Sequence, residues 1–260
     1  MTATPGGAVL AALASQLAEL ETVLAALDQA DWDRPSRCAG WTVSDVVLHL
    51  AQTNEMAVAS LEDRFDDVLD AFIGGLSPTS SVDDGAGALV ASERGAPGPA
   101  VHARWQAGAA ALRAAFASVD HHARVRWVAG ELSAQTLATT RLTETWIHTG
   151  DVLHAFGRSP RPDDRLWHIA RLVWRTVPYA FTRAGRVLRS PVVFDLRSPS
   201  GETWSFAPDP EADPTGLTTI RGDALDLCLV AGQRAHAADT SLGGDGPDVG
   251  LVLDLVRTFA

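Results

Sequence analysis

Leucines recur at spacings of three and four residues through the first thirty residues of the chain. The positions are Leu10, Leu13, Leu17, Leu20, Leu24 and Leu27. This stripe is typical of an amphipathic helix that faces a helical bundle, and it predicts a helix over residues 8–29. Because no basic residue precedes the apolar run, we interpret it as the first helix of the fold and not as a signal peptide.

A second helix is predicted to begin within the segment GWTVSD. Thr42 is followed three residues later by Asp45, which is a variant of the capping box that opens helices. Apolar positions then continue on both sides of His49, and the helix is predicted to extend toward Phe72.

The connection that follows, residues 74–100, is rich in Gly, Pro and Ser. It predicts a long crossover with a short helix near Leu89. Further helices are predicted over about 100–119 and 131–156. Together with the first two, they favour a four-helix bundle with one long connection.

The pattern changes at GRSPRPDD, which begins at residue 157. In the part of the chain that follows, the predicted elements are a helix over 164–187, a hairpin within 191–208 and helices over 222–236 and 246–259. Pro178 is expected to kink or break the first of these helices. The sequence therefore predicts an α+β fold that is mainly α, with one domain over 1–157 and a second over 158–260.

Charge and hydropathy narrow the range of partners. The chain has 260 residues and a net charge of −11, which argues against nucleic acid or an anionic membrane as the main partner. It contains no run of about 18 apolar residues, so we expect no membrane-spanning segment. Cys38 and Cys228 are far apart in sequence and offer neither a disulfide framework nor a paired-cysteine zinc motif, so we expect a cytoplasmic protein. Cys38 is interpreted as a buried, inert thiol, in preference to the alternative of a nucleophile with a low pKa.

Candidate chemistry lies in the predicted helix over 131–156. Arg141, Glu144, His148 and Asp151 fall on one stripe of this helix, and Glu144 and His148, four residues apart, meet on one face. Two ligands one turn apart are typical of metal sites on helices. His49, within an otherwise apolar helix, is the candidate third ligand. The residues alone leave two interpretations open, a metal site and an ordinary solvated stripe.

Two segments, RCAGWTVSDVVLHLA (37–51) and ETWIHTGDVLHAFG (144–157), are similar to the mycothiol-dependent maleylpyruvate isomerase family, within the wider DinB-like metal-binding superfamily. The resemblance continues through VFDLRSPSGETWSFAPD and GDALDLCLVAGQRAH, and so covers nearly the whole chain. It implies a DinB-like four-helix bundle followed by a small α/β domain similar to sterol carrier folds. It also implies that His49, Glu144 and His148 bind a divalent metal, with zinc preferred.

The resemblance further implies a function. Three protein ligands leave the fourth position of a zinc site open, and a thiol bound there becomes a thiolate near neutral pH. In the family this thiol is mycothiol, a small thiol of GC-rich actinobacteria; all 21 basic residues of this chain are Arg, which is consistent with a GC-rich genome. The expected activity is that of an isomerase or S-transferase acting on a small electrophilic, acidic substrate, in a monomer or homodimer.

Two alternatives to this activity stay open. One is a metal-dependent enzyme of the same fold that uses bound water, and the other is a non-enzymatic metal-binding or small-molecule-binding protein. Among the supporting residues, Asp151 is a candidate to orient a ligand imidazole. Arg141 is a candidate to pair with Glu144 or to receive an acidic substrate. Arg221 and Arg234 are candidates to bind a carboxylate of the substrate or thiol.

Overall fold

The computed structural model describes residues 5–77, 79, 81–128, 130–208 and 216–258. The chain divides into two compact units, Met1–Pro160 and Arg161–Ala260. The helices of the first unit are α1 (Pro5–Leu24), α2 (Val43–Leu61), α3 (Phe65–Ile73), α4 (Val82–Glu93), α5 (Gly98–Ser118) and α6 (Ala134–His154). An antiparallel hairpin of β1 (Arg124–Trp127) and β2 (Gly130–Ser133) precedes α6.

The four long helices α1, α2, α5 and α6 form a bundle. α1 and α2 each pack against both α5 and α6. The core takes Leu13, Leu17 and Leu20 from α1, Leu112 from α5 and Leu137 from α6, all buried. Burial of such side chains is the main stabilising contribution to a bundle. The mainly α fold with a four-helix bundle, predicted from the leucine spacing and the family resemblance, is confirmed.

Helix α1 is more apolar than we expected from the absence of a run of about 18 apolar residues. Within the described part of the chain, Gly6–Leu24 is the single helix long and apolar enough to cross a membrane. Four leucines of its stripe, Leu13, Leu17, Leu20 and Leu24, are nevertheless buried, and the helix packs against α5 and α6. This is the packing expected of a core helix in a bundle.

Three elements of this unit differ from the prediction. The first helix, predicted to reach residue 29, ends at Leu24. The second helix does not reach residue 72: it ends at Leu61, and α3 begins at Phe65. Asp63, between them, has a left-handed φ of +58°, which is incompatible with a continuous α-helix. Residues 131–133, predicted as the start of a helix, belong to β2, and Ser133 then caps α6 with its side chain.

In the described residues of the second unit, the structure has a four-stranded sheet and three α-helices. Its elements are α7 (Leu166–Arg183), β3 (Val192–Arg197), β4 (Thr203–Phe206), β5 (Thr218–Asp223), α8 (Ala224–Ala231), β6 (Gly243–Asp245) and α9 (Val249–Leu255). The strand order is β4-β3-β5-β6, with β3 and β5 parallel and the other pairs antiparallel.

Two predictions for this unit can be compared with its structure. The predicted hairpin is β3 and β4, with Phe194 opposite Phe206. Of the kink or break predicted at Pro178, the break does not occur, because α7 continues through Pro178 to Arg183. The helices α7, α8 and α9 pack against strands of the sheet.

Candidate metal centre

Three side chains from two bundle helices converge in the first unit. His49 lies on α2, and Glu144 and His148 lie one turn apart on α6. The Nε2 atoms of His49 and His148 are each 3.6 Å from the same oxygen, Oε2 of Glu144. The two imidazole rings meet edge to face, with centroids 5.0 Å apart. One ligand atom of each residue lies within 4.8 Å of those of the other two.

These separations fit ligands of one metal ion better than direct hydrogen bonds. A distance of 3.6 Å between nitrogen and oxygen is too long for a hydrogen bond. In a tetrahedral zinc site with bonds of about 2.0–2.1 Å, adjacent ligand atoms lie about 3.3 Å apart. The donor set of two imidazoles and one carboxylate is also one that zinc uses in catalytic sites, with a fourth position open.

Local interactions at the start of α2 fix the helix that carries His49. Oγ1 of Thr42 accepts from the amide of Asp45 at 3.2 Å, and Oδ2 of Asp45 accepts from the amide of Thr42 at 2.9 Å. Arg94, at the end of α4, donates from Nε to Oδ1 of Asp45 at 2.9 Å. The capping box predicted from the sequence is confirmed, and His49 follows it by about two turns of helix.

Asp151 supports the imidazole of His148 from behind. Its carboxylate is wholly buried, and Oδ2 lies 2.9 Å from Nδ1 of His148. Such a contact fixes the orientation and tautomer of an imidazole, and leaves Nε2 available as a metal ligand. Cys38 donates from Sγ to the same Asp151 oxygen at 3.2 Å. Cys38 is partly exposed, which differs from the expected buried thiol.

The loop before α2 delivers a further side chain that sequence analysis did not single out for the site. The amide of Trp41 donates to the carbonyl of Cys38 at 3.0 Å and closes the loop. Between them, Gly40 has a φ of +77°, a left-handed conformation that favours glycine. The ring of Trp41 is centred 5.4 Å from the ring of His49. Trp41 therefore forms part of the wall beside His49, and its position within GWT was the only signal for it.

Arg141 places a buried cation next to the three converging side chains. It lies one turn before Glu144 on α6 and is 1% exposed. Its Nη2 donates to Oγ1 of Thr53 at 2.9 Å and to Oδ1 of Asn54 at 3.2 Å, both on α2. Burial lowers the pKa of Arg141 to about 10, and the charge of Glu144 opposes this. The guanidinium is therefore charged at neutral pH.

The protonation states of His49 and Glu144 suit metal binding. Burial lowers the pKa of His49, and the attraction of Glu144 only partly offsets it, so the imidazole is neutral near pH 7. Burial alone would raise the pKa of Glu144, but His49, His148 and Arg141 outweigh it and hold the pKa below its ordinary value. A neutral imidazole and an ionised carboxylate are the forms that bind metals.

The remaining two candidate residues lie in the second unit. Arg221, on β5, pairs with Asp245 at 2.5 Å and is about half exposed. Arg234 donates to a main-chain carbonyl at 2.8 Å. A cavity of about 350 Å³ in this unit is lined in part by Arg197, Arg221 and Asp223. Because Arg197 and Asp223 form a two-point ion pair, the charges in this cavity largely compensate one another.

Comparison with known proteins agrees with this architecture. A family model described as the mycothiol maleylpyruvate isomerase N-terminal domain matches residues 13–153. Two uncharacterised proteins of Mycobacterium tuberculosis, from strains H37Rv and CDC 1551, are each 30% identical over 258 residues, which is 98% of this chain and 96% of theirs.

Solved structures show the same fold over nearly the whole chain. The crystal structure of the mycothiol-dependent maleylpyruvate isomerase has a TM-score of 0.61 at 19% identity, covering 96% of this chain and 99% of that one. A mutant of the mycothiol-dependent maleylpyruvate isomerase gives a TM-score of 0.60 at 20% identity, with the same coverage. The residues matched by the family model include His49, Glu144 and His148. This chain belongs to the mycothiol maleylpyruvate isomerase family.

Proposed function

We propose that the protein is a metal-dependent enzyme that uses mycothiol as a thiol cofactor or co-substrate. The reaction is an isomerisation or an S-transfer on a small electrophilic, acidic substrate. The observation that carries the proposal is the convergence of His49, Glu144 and His148 in a chain of this family. The solved relatives described as mycothiol-dependent isomerases support the choice of thiol.

The three side chains would hold a divalent metal through Nε2 of His49, Oε2 of Glu144 and Nε2 of His148, and zinc suits this donor set. When bound, the metal supplies stabilisation of negative charge at its open position, which lets a thiol bind as a thiolate near neutral pH. Such a thiolate is the nucleophile for addition to an electrophilic carbon. Addition to a carbon–carbon double bond, rotation about the resulting single bond and elimination of the same thiolate would give isomerisation, whereas addition with loss of a leaving group would give S-transfer.

The protein environment adds to this chemistry in two ways. The side chains of the proposed ligands are largely withdrawn from solvent, so charges in the site interact more strongly than they would in water. With a divalent metal bound, its two positive charges and the cation of Arg141 exceed the charges of the Glu144 and Asp151 carboxylates, and the resulting net positive charge favours an anion at the open position. Asp151 fixes the orientation of the His148 ring, so that Nε2 already points toward the metal position before the metal binds.

We also propose the organisation around this site. Residues 1–157 form the domain that carries the metal, and residues 158–260 form a smaller α+β domain, in which Arg221 and Arg234 are candidates for binding a carboxylate. The enzyme would act in the cytoplasm on small molecules, as a monomer or homodimer.

The test is spectroscopic. A cobalt-substituted sample should gain a sulfur-to-metal charge-transfer band when mycothiol is added, because a thiolate would become a cobalt ligand. Cys38 also carries a sulfur near His148. Cys38→Ser is therefore the matched control, and it should show the same band. His148→Ala should not.

The opposite result is equally clear. If millimolar mycothiol leaves the cobalt spectrum unchanged in a sample with full metal content, the thiol is not a ligand. That result would favour the alternative of a metal-dependent enzyme of the same fold that uses bound water.

A further inference from the structure

A cluster of Arg141, Asn54 and Thr53 leaves hydrogen-bond donors without partners inside the bundle. Arg141 is 1% and Asn54 0% exposed. Within the described residues, Nε of Arg141 and Nδ2 of Asn54 have no hydrogen-bond partner. Buried donors are nearly always paired, because an unpaired one loses its water without compensation. Two such donors in contacting residues therefore need a physical explanation.

The acceptors of Arg141 are also unusual for a buried cation. The structure gives Arg141 two hydrogen-bond acceptors, the hydroxyl of Thr53 and the amide oxygen of Asn54, and both are neutral. Arg104, another arginine that bridges bundle helices, donates instead from Nε and Nη2 to both oxygens of Glu55, at 2.7 and 2.8 Å. Among the residues that the structure describes, the guanidinium of Arg141 thus has no carboxylate that pairs with two of its donors at once.

The cluster lies beside the proposed metal ligands. Arg141 precedes Glu144 by three residues, which is about 4.5 Å along the axis of α6. A carboxylate bound by the cluster would therefore lie about one helical turn from the nearest proposed metal ligand. A carboxylate is planar, anionic and has two oxygens, so it matches the free Nε of Arg141 and the free Nδ2 of Asn54 in charge and in number.

We propose that Arg141 and Asn54, with Thr53, form the subsite that binds a carboxylate group of the substrate, holding its electrophilic carbon near the open metal position. This subsite would account for the selection of an acidic substrate by the proposed enzyme. The reaction itself is that of the proposed function, on which this part of the inference rests. Binding of the carboxylate rests on residues of this chain alone. The alternative is that Arg141 only bridges α6 to α2, as Arg104 bridges α5 to α2 through Glu55.

The experiment measures binding by calorimetry in the metal-loaded protein. The probe is maleate, a small dicarboxylate, and the reference is maleamide, its neutral diamide. We expect the wild-type protein to bind maleate and to bind maleamide at least about ten-fold more weakly, because charge-assisted hydrogen bonds are lost. Arg141→Gln should weaken maleate binding by about ten-fold or more while metal content and helical circular dichroism are retained. Arg104→Gln is the matched control for a bridging arginine and should leave maleate binding unchanged.

Asn54→Asp provides a second variant that is nearly isosteric and keeps an acceptor for Arg141. It replaces the unpaired donor with a negative charge, so it should also abolish the preference for maleate. The inference is overturned if Arg141→Gln or Asn54→Asp binds maleate as the wild type does, or if maleamide binds as tightly as maleate. The mycothiol-dependent cobalt band, recorded on the same samples, separates the two proposals. A band without a charge preference rejects only the subsite, and a charge preference without a band rejects only the thiol chemistry.

Discussion

Oδ2 of Asp151 lies 2.9 Å from Nδ1 of His148, and the carboxylate is wholly buried. The two residues are three positions apart on α6, so the contact follows from the helix itself. Because Nδ1 serves as the donor in this contact, Nε2 carries the free lone pair, and that atom faces Glu144 at 3.6 Å. The pair therefore determines which nitrogen of His148 is available to a metal.

Asp151→Asn tests this role. The substitution keeps the size of the side chain and removes the charge that orients His148. We expect metal affinity to fall by about 10–100-fold, which is the usual effect of losing such a partner behind a ligand histidine. Competition against a chromophoric chelator measures the change directly.

Cys38→Ser is the matched control for the Asp151 variant. The hydroxyl can still donate to Oδ2 of Asp151, as Sγ does at 3.2 Å. Metal affinity should therefore change by less than about three-fold, a smaller effect than the loss of the carboxylate. An Asp151→Asn protein with wild-type metal affinity would show that the carboxylate only fills space.

The pair of Glu144 and His148 could be predicted from the sequence because both residues lie on one helix with fixed spacing. His49 was a candidate because it interrupts an apolar helix, but only the family resemblance joined it to the other two residues, since the packing of α2 against α6 cannot be derived from spacing. The burial of Arg141 and Asp151 could not be predicted from the sequence either, because Arg and Asp side chains are normally exposed. Burial of Arg141 and Asp151 depends on acceptors and donors supplied by other segments, such as Thr53 and Cys38.

Long periodic helices were the most predictable part of the fold, and the short strands were the least. β5 and β6 were not predicted. β6, Gly243–Asp245, contains two glycines and carries no strand propensity. Its pairing depends on close contact, because a Cβ on Gly244 would collide with the carbonyl of Thr219. Only the tertiary fold brings these two segments together.

The capping box at Thr42 predicts a measurable stability effect near the site. Thr42→Ala removes the side chain that accepts from the amide of Asp45. The free energy of unfolding should fall by about 1 kcal/mol, as for other N-caps. Thr22→Ala is the control, because Thr22 is an exposed threonine within α1, and it should change stability by less than about 0.5 kcal/mol. Urea denaturation of both variants makes the comparison, and equal effects would show that the cap contributes nothing specific.

Asp248 predicts a pH-dependent effect in the second unit. Burial would raise the pKa of Asp248, but hydrogen bonds from Arg189 and from the amide of Ser190 outweigh it and hold the pKa below its ordinary 3.8. A carboxyl whose pKa is lowered by folding stabilises the protein above its ordinary pKa, and this stabilisation is lost as the pH falls through the pKa of the folded state. Asp248→Asn should therefore cost about 2 kcal/mol at pH 7 and much less near pH 2–3.

Urea denaturation of the full chain, wild type and Asp248→Asn, at the two pH values measures this difference in the free energy of unfolding. Asp254→Asn, at an exposed position of α9, is the control and should have little effect at either pH. A cost that is the same at both pH values would show that the amide and carboxylate forms of Asp248 are equivalent in the fold.

His148→Ala separates a catalytic metal from one that is needed for folding. If the metal were structural, its loss would unfold the bundle, because its binding energy would then be part of the folding energy. The bundle instead has a core of its own, supplied by the buried leucines of α1, α5 and α6. We therefore expect His148→Ala and His49→Ala to lose metal and thiol-dependent activity while keeping near-native circular dichroism and a cooperative melt. Elemental analysis and thermal denaturation of the same samples measure both properties.

His154→Ala is the matched control, because His154 is exposed at the end of the same helix α6. It should keep its metal, its activity and its melting temperature. An aggregating His148→Ala protein without cooperative unfolding would mean that the metal holds the bundle together. Full metal content in His148→Ala would mean that the three side chains meet without sharing an ion, and the proposed reaction would then have no site in this bundle.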